Sequence, residues 1–233
     1  MSIAYKKAKI TKYSPKHNYF YPGIYKSNMP HIGVDESGKG DYFGYLVVGA
    51  VYVDEKNQII LKKIGVKDSK MIADNKIIEL DKKIREMCKY EIVKISPEKY
   101  NIIYKKFKSL NKLLAWAHAR AIENMLRKVK CDTAITDKFG EERFLKETLF
   151  EKSKKINIIQ RTKAESDVAV AAASIIARAE FLKTLRQLGR LVGFVLPKGS
   201  AHVEPTAKQL IDKHGRDILD KVAKTHFKIT KRI

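Results

Sequence analysis

Two short apolar runs, residues 31–36 and 45–53, flank a turn that holds Gly38, Gly40 and Gly44. Runs of this length, rich in Val and Ile and bounded by glycine, read as strands, and their closeness predicts that they pair. The first run ends on two carboxylates, Asp35 and Glu36, and passes through Ser37 into Gly38-Lys39-Gly40-Asp41. Charges at the end of a buried apolar strand are costly unless they face water or coordinate something. Successive strand side chains point to opposite faces, so both acids serve one site only if the strand ends and bends there. The glycines make such a bend easy.

The rest of the chain alternates strand and helix signals. Ile77, Ile84 and Met87/Cys88 recur at helical spacing over 74–88, with lysines opposite. Residues 91–95 predict a strand. Ser96-Pro97 predicts a cap and a first helical proline, with a helix running to about Lys108. A second helix buries Leu113, Leu114, Ala117, Ala121, Ile122 and Met125. Residues 132–136 predict a short strand that delivers Asp137, and 156–160 predict another. The alanine-rich stretch 167–188 predicts a buried helix, and 204–227 two short helices separated by Gly215. The reading is one α/β domain, residues 31–233, behind an N-terminal arm, residues 1–30. The arm interleaves Lys6, Lys7, Lys9, Lys12, Lys16 and Lys26 with tyrosines and Phe20, and no acid precedes Asp35. Such a mixture suits a segment that tracks a nucleic-acid strand; it equally suits an edge hairpin packed on the core.

Charge narrows the function. The chain carries 48 Lys+Arg against 26 Asp+Glu, a formal net charge of +22. That excess implies attraction to a polyanion, with lysine enrichment for stability as the bland alternative. No long apolar run and no leader pattern appears, which argues against membrane insertion or export and for the cytoplasm. Cys88 and Cys131 have no C-x-x-C spacing, so neither a zinc knuckle nor a disulfide framework is suggested. Asp137 and Glu165 are further acids beside Lys138 and Lys163. Four clustered carboxylates would repel one another without cations; with two Mg²⁺ they can activate water and stabilise the leaving oxygen of a phosphodiester. Gly33 to Lys39 also fits G-x-x-x-x-G-K, a nucleotide-binding loop, but Gly40 stands where Ser or Thr would hold Mg²⁺. Asp35 and Glu36 would moreover put two negative charges inside that phosphate cradle.

The run from Asp35 to Gly44 resembles the signature of type 2 ribonucleases H, and of bacterial ribonuclease HIII in particular. The resemblance continues through Lys67-Asp68-Ser69-Lys70, Ser109-Leu110-Asn111, Asp137-Lys138-Phe139-Gly140, Lys163-Ala164-Glu165-Ser166, the alanine-rich segment, Leu196-Pro197-Lys198-Gly199 and Lys224-Thr225-His226-Phe227. It implies an RNase H-like fold, a mixed β-sheet flanked by helices with a helical C-terminal region. It implies metal-dependent cleavage of the RNA strand of RNA/DNA hybrids to 5′-phosphate and 3′-hydroxyl ends, using two Mg²⁺ or Mn²⁺ ions. Asp35, Glu36, Asp137 and Glu165 are then the catalytic, metal-binding acids, a glutamate in the fourth place being HIII-like. Gly38-Lys39-Gly40 would contact the ribose 2′-OH, which separates RNA from DNA. The resemblance also implies a larger N-terminal substrate-binding domain than 30 residues supply, and Tyr45 stands where proline is common. Two other activities remain open: incision at single ribonucleotides within duplex DNA, and nucleic-acid binding without turnover. A monomer is expected.

Further contacts are expected at Lys67, Ser69 and Lys70, as phosphate ligands or as a solvated turn, and at Lys138 and Lys163. Asn111 reads as a helix N-cap or a substrate contact. Ser174 reads as a backbone contact or as a small residue that permits close packing. His118, on a helix beside Trp116, reads as structural.

Overall fold

The computed structural model describes residues 29–233, so the expected arm, residues 1–30, lies outside the described residues except for Met29 and Pro30. Strand β1 (His31–Ser37) turns back through the glycine segment into β2 (Leu46–Val53), and the two pair antiparallel with Asp35 opposite Gly49 and Glu36 opposite Val48. Helices α1 (Glu55–Lys63) and α2 (Asp74–Met87) precede β3 (Lys89–Ile95). Helices α3 (Pro97–Phe107) and α4 (Leu110–Met125) lead to β4 (Thr133–Asp137), then α5 (Glu142–Thr148) and β5 (Asn157–Arg161). The long α6 (Val168–Val192), α7 (Glu204–His214) and α8 (Ile218–Val222) follow. The sheet order is β3-β2-β1-β4-β5, antiparallel from β3 to β1 and parallel from β1 to β5. It is the expected mixed sheet flanked by helices, with a helical C-terminal region.

The alternation of side chains divides the core. Val47, Val51 and Val53 face α6 together with α1, α2, α7 and α8, whereas Leu46, Val48 and Ala50 face α4. The alanines of α6 let its backbone lie almost on the sheet. A Cβ added at Gly33 would come 2.1 Å from the Ala169 carbonyl carbon, and one at Gly49 would come 2.7 Å from the Ala173 oxygen. Asp167 fixes where α6 begins: its Oδ1 accepts from Ala169 N at 2.9 Å and from His31 Nε2 at 2.9 Å. The helix start is thereby pinned to the start of β1.

Helices α1 and α5 carry too little signal to be read from sequence. Only Gln58 and Leu61 of α1 are buried, and only Leu145 of α5. Helix α1 depends on its cap Asp54, whose Oδ1 accepts from Asn57 N at 2.8 Å, and α5, which has no side-chain cap, on tertiary contact rather than on an apolar stripe. At the start of α4 the cap is Ser109, whose Oγ accepts from Lys112 N. Asn111 lies in the first turn and is not the N-cap, which corrects one of its two readings.

Two glycines separate packing from turn geometry. Gly33→Ala should cost roughly 3 kcal/mol or more, because the obstruction is backbone. Gly40→Ala, with nothing within 4 Å of the added Cβ, should stay within about 1 kcal/mol of wild type. Urea unfolding of both variants checks the contrast.

Candidate active site

Two of the four acids meet where the parallel strands end. Val34 pairs with Thr136 across β1 and β4, so the next residues, Asp35 and Asp137, stand side by side on one face of the sheet. Glu36 points to the other face, toward α4. There His118, fully buried, donates from Nε2 to Glu36 Oε2 at 3.0 Å, and its Nδ1 shares a 2.8 Å hydrogen bond with Thr136 Oγ1. Phe139 packs against the imidazole with ring centroids 4.6 Å apart. On the open side, Lys39 Nζ donates to Glu36 Oε1 at 3.0 Å. The fourth acid arrives on a 3-10 turn, Ala164–Ser166, whose first amide donates to Asp137 Oδ1 at 3.3 Å. Glu165 is the next residue, half-buried.

The two adjacent acids have opposite electrostatics. Burial raises the Asp35 carboxyl well above the usual carboxylate range, and the neighbouring Glu36 and Asp137 charges raise it further. Burial works the same way on Glu36, but the hydrogen bonds and charges of His118 and Lys39 outweigh it and hold that carboxyl well below its ordinary value. Among the described residues, no three His, Cys, Asp or Glu side chains gather closely enough to hold one metal ion. Glu36 is turned onto its histidine and its lysine, which accounts for part of that dispersal.

The glycine turn beside the acids is rigidly held. Gly38 has φ +90, and a Cβ there would meet the Tyr45 oxygen at 2.1 Å, so the position requires glycine. Gly40 is open, and its backbone is free to be approached. Lys224, fully buried, clamps the far end of the turn: its Nζ donates to Asp41 O at 2.7 Å and Gly44 O at 2.8 Å. Tyr42 N donates to Gly199 O, and Gly44 N to Val222 O. No local pattern in the sequence assigns Lys224 this task.

The remaining expected contacts divide. Lys67, Lys70, Lys138 and Lys163 are exposed. Lys70 lies near enough to oppose the upward shift at Asp35. Asn111 faces the turn after β4, within 3.0 Å of a Cβ added at Gly140. Ser69 is buried and its amide donates to Ser174 Oγ at 3.3 Å, while Arg178 donates to its carbonyl. Ser174 is 2% exposed and its hydroxyl also donates to Ala171 O at 2.8 Å. It props the 67–70 turn from behind. The structural role expected of His118 lies at the site itself: the carboxylate that it holds is one of the four acids, a contact 82 residues distant in sequence that no local pattern announces.

Burial lowers the Lys224 ammonium to about 7 from its ordinary 10.5. Below that value both folded and unfolded chains hold the proton. Above it the folded chain releases the proton while the unfolded chain keeps it, so this residue's contribution to stability rises with pH from about 7 to 10.5. The stability difference between wild type and Lys224→Met, followed by urea unfolding, should shift in favour of wild type across that window.

Residues 32–230 match the family model described as Ribonuclease HII. The chain is 46% identical over 200 residues to the ribonuclease HIII of Protochlamydia amoebophila, an alignment covering 85% of this chain and 66% of that protein. Against the ribonuclease HIII of Chlamydia pneumoniae it is 42% identical over 218 residues, covering 91% and 72%. Among solved structures, that of Bst-RNase HIII in complex with Mn²⁺ superposes with a TM-score of 0.82 at 34% identity, covering 88% of this chain and 69% of that one. The chain thus spans about two thirds of the length of these relatives. It belongs to the ribonuclease HII family, and within that family it is a relative of the proteins named ribonuclease HIII.

Proposed function

We propose that the protein is a metal-dependent endoribonuclease that cleaves the RNA strand of RNA/DNA hybrids, acting as a cytoplasmic monomer and leaving 5′-phosphate and 3′-hydroxyl ends. The observation that carries this reading is the pair of carboxylates at the ends of β1 and β4, with Glu36 beside them and an exposed lysine on the approach. The donor chemistry fits Mg²⁺ or Mn²⁺, the second being the ion in the matched Bst-RNase HIII structure. All four expected ligands are hard oxygen donors, and the Asp35 carboxyl is crowded by like charge that a divalent cation would neutralise. Asp35, Glu36, Asp137 and Glu165 would hold the ions. When bound, two such ions supply activation of water and stabilisation of the leaving 3′ oxygen.

The chain's own groups do the rest. His118 keeps Glu36 ionised and aimed. The Ala164 amide orients Asp137. The open Gly40 backbone, in a turn fixed by Gly38 and Lys224, offers peptide groups to a ribose 2′-OH. Lys67, Lys70, Lys138 and Lys163 supply positive charge for the phosphates, within a chain of net charge +22.

Asp35→Asn and Asp137→Asn should each abolish cleavage of a uniform RNA/DNA hybrid with either metal. Asp35→Asn should also raise the melting temperature of the metal-free protein, because it removes a desolvated acid from beside two others. Near-normal hybrid cleavage by Asp35→Asn would defeat the proposal. Running the same assay on a DNA duplex with one embedded ribonucleotide tests the neighbouring activity; preference for that substrate would reassign the enzyme.

A further inference from the structure

Glu36 is held from two unequal sides. Its Oε2 is bound by His118, which is fully buried, bonded through both ring nitrogens and backed by Phe139. Its Oε1 is bound by Lys39, whose side chain is 43% exposed while that of Glu36 is 9% exposed. The histidine side is fixed by packing. The lysine side is a flexible four-carbon stem on a turn between two glycines, and its ammonium is reached by water. Oε1 is therefore the one Glu36 oxygen that can change partners.

We propose that the Lys39 ammonium occupies Glu36 Oε1 in place of a divalent cation, so that metal binding must displace Lys39 and metal affinity is set partly by that competition. The inference rests on the reading of Glu36 as a metal ligand. The physical ground is mutual exclusion. An ammonium sits 3.0 Å from the oxygen, whereas Mg²⁺ binds oxygen at about 2.0–2.1 Å and carries twice the charge. Both cannot hold the same lone pairs at full strength. The cation wins at sufficient concentration, and until then Lys39 offsets the repulsion among the acids. Once displaced, the ammonium is left exposed beside the acids, where a strand phosphate is the natural next partner.

The test is calorimetric titration of Mn²⁺ into the metal-free protein without nucleic acid, at fixed ionic strength, as a double-mutant cycle. Lys39→Met should bind Mn²⁺ about three- to tenfold more tightly than wild type, the range expected for loss of one partly exposed ion pair. Lys39→Arg should stay near wild type. Glu36→Gln should weaken binding, and adding Lys39→Met in that background should change nothing further. Equal tightening in both backgrounds would overturn the inference, since it would show only the field of a removed charge. No tightening in the single variant would overturn it too, with the metal reading intact if Glu36→Gln still weakens binding. Unchanged affinity in Glu36→Gln would overturn both the inference and the role given to Glu36. Lys39 lies on an exposed turn and Glu36→Gln keeps the side chain's shape, so these variants are expected to fold, and circular dichroism checks it before titration.

Discussion

The close contact between α6 and the sheet is the constraint on which the site depends. Alanines on the helix and glycines at positions 33 and 49 let two backbones meet with no side chain between them. That proximity fixes the height of β1 against the helix, and the Asp167 bridge to His31 fixes its position along it. With β1 held in both directions, β4 is placed by parallel pairing, and Asp35 and Asp137 emerge side by side. The same helix sends Ser174 and Arg178 to the 67–70 turn, so one element locates both the acids and a lysine-bearing loop.

The two faces of the sheet divide the electrostatic work. On the α6 face, Asp35 and Asp137 are left to repel each other. On the α4 face, Glu36 is given a histidine and a lysine. A carboxylate cluster that had counter-charges for every member would have little reason to take up a cation, and one with none would be hard to fold. Here one acid of an adjacent pair is bonded to two counter-charges and the other to none, with only the Lys70 charge nearby to oppose its repulsion, and the alternation of strand side chains produces that asymmetry without any extra device.

Much of this was legible in the sequence because it is local. The glycine-bounded strand pair, the Ser96-Pro97 start of α3, the alanine helix and the Gly215 break in the tail each show within a few residues, and the structure places elements there. The acids could be named for the same reason, since Asp35-Glu36 and Asp137 end apolar strands. What could not be read was pairing at a distance. Neither His118 with Glu36 nor Lys224 with the carbonyls of Asp41 and Gly44 leaves a periodic trace. The hydrogen bond between Ser174 and the Ser69 amide could not be read either, because a small polar residue on a buried helix looks the same whether it faces a ligand or a loop. Helices α1 and α5 escaped because they bury almost nothing.

The Lys224 clamp has a consequence for the order in which the molecule is made. The glycine turn joins two strands that are adjacent in sequence, but its hydrogen bonds are completed by Gly199, Val222 and Lys224, far downstream in the chain. The hairpin can pair early, since its partners are adjacent, whereas the turn beside the acids stays unfinished until the segment carrying Gly199, Val222 and Lys224 is released and docks. Construction of the site thus waits on Lys224, and a chain cut short before that residue would keep its acids while losing the frame that presents them.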